Sequence, residues 1–417
     1  MSENCDIFSK MMDFSSKDIM NSKASSSGGK TGINEDGTAV GKTNSQVSPM
    51  GTPTPPKKLK PSEEIILKLK KYGFDMTQLE PILKTNGNQL TVSCAGSGKT
   101  TTMIFKIIYD VSTGYATRLT EVNGNKIRVP EKIKVCTFLK TGALELENRM
   151  RDWNRRLGRP DVTDSISFST LHAEFKRTLN AMGIVTNIIS ETENTNLLKK
   201  ALKVYALRNS NNKPLTSQDI KDLMSALTYT RNRLDEKRYE KDIYQDLNIG
   251  STIIDAILRD WKGLRIEGGY VDYEDLQEML YQECYVRNNP EVINFIKERY
   301  NMIYIDEFQD TSQIQYKLIK VYGADCKQVL AIGDDDQTIY SWRGSCNDII
   351  LRDFIEDFEP KLNQLSVNYR CPANILNSIK PSIELNQDRF EKQLHSHREG
   401  GEVRYGLFGS YISMLNI

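Results

Sequence analysis

Leu90-Thr91-Val92-Ser93-Cys94-Ala95-Gly96-Ser97-Gly98-Lys99-Thr100-Thr101 decides how the chain is read. Leu90-Thr91-Val92 is short, apolar and β-branched, the composition of a buried strand. After the loop, Met103-Ile104-Phe105 and Ile107-Ile108 have the spacing of a helix. Strand, glycine loop and helix in that order predict a phosphate-binding loop. Gly96 and Gly98 carry no side chain, so backbone N–H groups can close around phosphate oxygens. The helix N-terminus adds partial positive charge at the same point. Lys99 can reach the β- and γ-phosphates, and the Thr100 hydroxyl can ligate Mg²⁺. Ala95, Ser97 and Thr101 complete the candidate nucleotide cradle. The strict pattern has glycine six residues before the lysine, where this chain has Ser93. The competing reading is a glycine turn that binds nothing.

The 417 residues suffice for two or three domains of ordinary size. A net charge of +1 shows no global basic excess, so contact with nucleic acid must come from local patches. There is no run of apolar residues long enough to span a bilayer, and no signal-peptide pattern follows Met1, so a soluble, intracellular chain without a membrane partner is expected. Seven cysteines with no C-x-x-C pair argue against a disulfide framework or a zinc cluster. Cys94 and Cys136 sit beside apolar strand residues and read as core filler.

Residues 1–62 are poor in aromatic residues and rich in Ser, Gly, Lys, Asn and Thr, a composition predicting a disordered arm. The arm ends in Pro55-Pro56-Lys57-Lys58-Leu59-Lys60-Pro61, readable as a nuclear targeting signal or as a solvated basic linker. A helix is expected from about Glu63 to Gly73, and Gln78 opens a second, short one. Asn123-Gly124 predicts a type I′ turn at the centre of a hairpin inserted between core elements. Lys132 to Phe138 alternates as a second strand, and Thr170-Leu171-His172 begins a helix. Residues 187–261 read as helical, with a capping box at Thr216 to Asp219. Arg231, Arg233, Lys237 and Arg238 form a basic cluster, either a solvated face or a contact for phosphates.

The apolar strand Met302-Ile303-Tyr304-Ile305 delivers Asp306-Glu307-Phe308-Gln309-Asp310 at its C-terminal end. Downstream of a phosphate loop, such a pair suits metal-assisted hydrolysis: Asp306 holds Mg²⁺ through its waters and Glu307 orients or deprotonates the attacking water. Another strand, Val329 to Ile332, runs into Gly333-Asp334-Asp335-Asp336-Gln337 and then Thr338-Ile339-Tyr340-Ser341-Trp342-Arg343-Gly344. Tyr340, Trp342 and Arg343 read as a stacking platform for bases, or as core aromatics. A further apolar run, Leu365 to Val367, leads into Asn368-Tyr369-Arg370.

Taken together, these strings resemble the UvrD/Rep group of superfamily-1 DNA helicases, from about Glu63 onward and in that group's order. The most specific pieces are Ile305 to Thr311 and Gly333 to Gly344. Thr137-Phe138, Thr170-Leu171-His172, Asp272-Tyr273-Glu274-Asp275-Leu276 and Asn368-Tyr369-Arg370 add support. The resemblance implies a RecA-like P-loop NTPase sheet, ATP and Mg²⁺ as cofactors, and single-stranded or tailed duplex DNA as partner, traversed 3′ to 5′. It implies that Gln78 reads the adenine edge, Tyr369 stacks on the base, Gln337 senses the γ-phosphate and Arg370 is an arginine finger. Phe138, His172, Tyr340 and Trp342 would line the single-strand path. After Thr137-Phe138 this chain has Leu139, Lys140 and Thr141 instead of the group's usual residues, a departure at one DNA contact.

The expected organisation is an α/β first lobe over 63–174 and 262–362, a helical insert over 175–261, and the opening of a second lobe over 363–417. The expected function is that of an ATP-dependent DNA helicase or translocase in repair, replication or recombination. The rival is a DNA- and ATP-binding module that cannot unwind alone because most of the second lobe is missing, or that works with a second polypeptide supplying it.

Overall fold

The computed structural model describes residues 61–122, 125–159, 161–184 and 186–403. Residues 1–60 of the expected arm, with its basic cluster up to Lys60, lie outside the described residues, while Pro61 and Ser62, expected in the arm, begin helix Pro61–Lys71. Strand β1 (Gln89–Ser93) precedes a hairpin of β2 (Thr117–Val122) and β3 (Asn125–Pro130). The hairpin strands pair antiparallel with Val122 opposite Asn125, and the Asn123-Gly124 turn itself lies outside the described residues. Then come β4 (Ile133–Thr137), β5 (Ile166–Thr170), β6 (Met302–Ile305), β7 (Gln328–Gly333) and β8 (Lys361–Leu365). Six of these form one sheet in the order β5-β4-β6-β7-β1-β8, parallel at every pair.

Strands β1, β4, β6 and β7 are buried at every residue, as parallel strands covered on both faces must be. Their side chains alternate between two cores. Met302 and Tyr304 pack with Ile104 and Ile107 of helix Lys99–Ser112 and with Leu146 and Met150 of helix Lys140–Arg156. Ile303 and Ile305 pack with Phe175, Leu276 and Leu318 from helices Leu171–Ala181, Tyr273–Tyr281 and Gln313–Gly323. The result is the expected α/β parallel sheet between two helical layers. Because the strands run one way, the C-terminal ends of β1, β4, β5, β6 and β7 emerge on one edge, where open α/β sheets bind ligands.

One strand has no signal in the sequence, and one strand assignment needs correction. The edge strand β5 has only Ile166 and Ser169 buried, so it lacks the apolar run that marks central strands. The Leu365 to Val367 run is divided by Ser366: β8 ends at Leu365 in the main sheet, and β9 (Val367–Pro372) pairs with β10 (His395–Arg398) in a separate two-stranded sheet. Helix Ala373–Ile383 lies with that small sheet, and its Leu376 joins Cys94 and Leu394 in a small cluster.

Helices Glu191–Leu202, Ser217–Asn232 and Ser251–Glu267 build a third core around Leu198, Leu227, Ile257 and Trp261. The Thr216–Asp219 capping box is present. Arg231 is not on a solvated or phosphate-facing surface: its buried guanidinium meets Asp272 at 2.7 Å, Asp275 at 2.6 Å and Glu278 at 2.5 Å. Arg265 meets Asp275 at 2.9 Å and Asp272 at 3.2 Å. Removing one side of a buried pair costs about 3–5 kcal/mol, so this network pins helices Ser217–Asn232 and Ser251–Glu267 to the Asp272–Leu276 string. Arg233 is likewise engaged, by Asp235. Among the described residues, no helix is long and apolar enough to cross a membrane.

Candidate nucleotide and nucleic-acid site

The loop after β1 turns through Gly96 at φ 70° and Gly98 at φ 83°, left-handed values that favour glycine. A Cβ on Gly96 would stand 2.7 Å from Arg370 Cβ, and one on Gly98 would stand 2.7 Å from Gln78 Nε2. The loop is thus fitted against two residues expected to serve the same nucleotide. Gln78 Nε2 donates to the Ser97 carbonyl at 3.1 Å, and the Tyr369 hydroxyl donates to Gln78 Oε1 at 3.2 Å and to Asp75. Asp75 also caps helix Met76–Leu83 by accepting from Gln78 N–H at 3.0 Å. The buried hydroxyls of Ser97 and Thr102 have no partner among the described residues. The Ser97 orphan, inside the glycine loop, suits a loop that takes up phosphate oxygens.

At the mouth of the cradle, Thr100 Oγ1 donates to Asp306 Oδ2 at 3.0 Å, and Lys99 Nζ lies 3.4 Å from Glu307 Oε2. One hydroxyl and one carboxylate at this separation are hard oxygen donors of the kind Mg²⁺ takes. Glu307 sits at φ 53°, a strained conformation costing a non-glycine residue of order 1–3 kcal/mol. Gln309 Nε2 holds its carboxylate at 2.9 Å, while Gln309 Oε1 accepts from Asp334 N–H at 2.9 Å. The carboxyl of Asp310 is also buried, with Oδ1 unpartnered among the described residues, and burial followed by the Glu307 charge pushes it up to about 7.

Burial, then the neighbouring Glu307 charge, pushes Asp306 from 3.8 up to about 6. A raised carboxyl pKa means that the folded chain holds a proton the unfolded chain has lost. In the metal-free chain, Asp306 therefore subtracts stability as pH rises from about 4 to about 6. Asp306→Asn should stabilise the metal-free fold at pH 7 by of order 2 kcal/mol. Thermal unfolding checks this: the gain at pH 7 should vanish near pH 4, and an equal gain at both would contradict it.

Thr100, Asp306, Glu307 and Gln337 line a cavity of about 280 Å³ whose other walls include Phe138 and Tyr340. Phe138 stacks on Tyr340 with ring centres 4.4 Å apart, and Trp342 lies 6.3 Å from Tyr340. The Arg343 guanidinium stands 5.7 Å from the Phe138 ring and 5.8 Å from Trp342. Trp342 is half exposed, so these aromatics form a surface and not a core. His172 shares a small pocket with Phe138 and stands edge-on to Tyr273 at 5.6 Å. Burial and then Arg343 push its imidazole down to about 4, so it is neutral near pH 7. Gln337 lies on the cavity, but its amide donates to Asp334.

A family model described as the UvrD/REP helicase N-terminal domain matches residues 74–359. The chain belongs to the UvrD/Rep helicase family. It is 30% identical over 352 residues to DNA helicase II of Haemophilus influenzae, covering 81% of this chain and 44% of that protein. It is 27% identical to DNA helicase II of Escherichia coli over 332 residues, covering 78% and 42% respectively. For ATP-dependent DNA helicase PcrA of Staphylococcus epidermidis the identity is 27% over 338 residues, covering 79% and 42%. The chain thus spans under half the length of these curated relatives.

Within this UvrD/Rep-type site the structure adds residues that sequence reasoning did not single out. Arg149, from helix Lys140–Arg156, donates to Thr101 Oγ1 at 2.6 Å beside the cradle. Tyr273 is exposed next to His172. Gln309 joins the acidic pair to the β7 loop. Only Tyr273 and Gln309 lay inside strings already noticed; Arg149 had no local signal.

Proposed function

We propose that the chain binds Mg·ATP in the cradle, binds single-stranded DNA on the aromatic face, and couples the two as an ATP-dependent DNA helicase or translocase. The single observation carrying this reading is the shared cavity: its walls are phosphate-site residues on one side and the Phe138–Tyr340 stack on the other. On this reading the loop from Ala95 to Thr101 wraps the phosphates and Lys99 bridges the β- and γ-phosphates. Thr100 and Asp306 hold Mg²⁺, which when bound neutralises charge between those phosphates. Glu307 takes the proton from the attacking water. Gln78 and Tyr369 hold the adenine, Gln337 senses the γ-phosphate, and Arg370 offsets charge that develops on it. Phe138, His172, Tyr340, Trp342 and Arg343 hold the strand, with 3′ to 5′ polarity and a role in DNA repair, replication or recombination. Residues 63–174 and 262–362 act as the ATP-binding lobe, 175–261 as its insert, and 363–417 as the opening of a second lobe.

Stacking on bases contributes about 1–3 kcal/mol per base and tolerates any sequence, because every base has a π-face. Tyr340→Ala and Trp342→Ala should each weaken binding of a fluorescent mixed-sequence oligonucleotide by that amount. Titration of folded mutant protein with undiminished affinity would refute the DNA-binding face.

A further inference from the structure

We infer that Lys392 is a positioning residue for the ATP site: it fixes the Asp334–Gln337 loop, and through that loop Gln337 and Glu307. The inference rests on the Mg·ATP reading above and names a group that reading leaves out. Lys392 lies between helix Ala373–Ile383 and β10, with its side chain only 1% exposed. Its ammonium stands 2.7 Å from a carboxylate oxygen of each of Asp334, Asp335 and Asp336, and 3.4 Å from the Ser93 carbonyl that ends β1. Three carboxylates gathered within 4.8 Å of one another would repel strongly if left alone. That spacing would also suit a cation, and the Lys392 ammonium takes the place. A compact ammonium with three donors can meet three oxygens around a point, whereas the planar fork of arginine cannot.

Asp334 is where this pin reaches the chemistry. One of its carboxylate oxygens faces Lys392, and the other accepts from Gln337 Nε2. Its N–H donates to Gln309 Oε1, and Gln309 Nε2 holds Glu307. Lys392 is thus one residue removed from the sensor and two from the base. The neighbouring segment closes the rest of the loop: Arg389 meets Asp336 with two bonds at 2.9 Å, Asn386 reaches it at 3.1 Å, and the Phe390 N–H donates to Asp335 at 2.7 Å. Arg370 stands on β9, in the same small unit as Lys392.

The test uses the full purified chain and Lys392→Met. Hydrogen exchange at amides 334–338 should quicken at least about tenfold while helix Lys99–Ser112 keeps its protection. A misplacement of this kind costs about 10²-fold, so kcat of ATP hydrolysis should fall by that order. KM for ATP should change by less than about threefold, since Lys392 does not touch the cradle's phosphate contacts. Lys392→Arg should not restore kcat. Lys392→Met combined with Gln337→Ala should be no slower than the slower single variant, because both act through one group. If Lys392→Met does not fold, Lys392→Met/Asp335→Asn, which removes a stranded carboxylate with the charge, decides instead. Unchanged exchange at 334–338, or kcat losses that multiply in the double variant, would overturn the inference. A wild-type chain without ATP turnover sinks the Mg·ATP reading instead, and the exchange measurement, needing no nucleotide, still decides on Lys392.

Discussion

Glu307→Gln is expected to slow ATP hydrolysis by about 10²- to 10⁴-fold, the usual contribution of a positioned general base, with Mg·ATP still bound. The substitution preserves shape and the hydrogen-bonding reach of the side chain but removes its basicity. Binding should survive because the phosphate contacts come from the loop, Lys99 and Thr100. The left-handed backbone at 307 and the bond from Gln309 aim this carboxylate into the cavity. They act on the backbone and on one oxygen that the amide retains, so the geometry should persist. Stopped-flow phosphate release, with nucleotide affinity measured in parallel, separates the two effects. Turnover within threefold or so of wild type would leave the carboxylate a structural role only.

Arg370→Ala should cost more, about 10³- to 10⁵-fold in turnover, the range for loss of an arginine finger. Arg370 is exposed, and among the described residues its guanidinium has no hydrogen-bond or ion-pair partner, although its Cβ packs against Gly96. A free cation beside a phosphate loop has a reason to stay unpaired. Its backbone is fixed by Asn368 Oδ1, which accepts from the N–H groups of Arg370 at 2.8 Å and Cys371 at 2.7 Å. Alanine keeps that turn and removes only the charge. Ground-state affinity for ATP should drop little, because the charge being offset develops during transfer. A mutant that loses binding and turnover in equal measure would make Arg370 a simple ligand.

The parts of this account legible in the sequence are those whose physics is local. Leu90 to Thr101 announces strand, loop and helix within a dozen residues, and the structure has them there. Met302 to Ile305 is apolar at every position because both faces of β6 are covered. Edge strand β5 is buried only at Ile166 and Ser169, and its Ser-Phe-Ser-Thr run carried no such signal. The run from Leu365 to Val367 looked continuous because both pieces are apolar, while the chain changes sheets at Ser366. Arg231 read as surface charge, since its three carboxylate partners lie more than forty residues away. Arg149 was illegible for the same reason: a lone basic residue gains meaning only from what the fold sets against it.

The most direct test of the central claim, that this cradle binds Mg·ATP and answers to DNA, is the steady-state ATPase of the purified chain with and without single-stranded oligonucleotide, beside Lys99→Ala. Lys99 makes a charge-assisted contact to phosphate whose loss removes about 2 kcal/mol or more of binding. The account predicts Mg²⁺-dependent hydrolysis that single-stranded DNA accelerates, absent from Lys99→Ala at equal folded concentration. Hydrolysis that neither DNA nor the Lys99 substitution changes would contradict it.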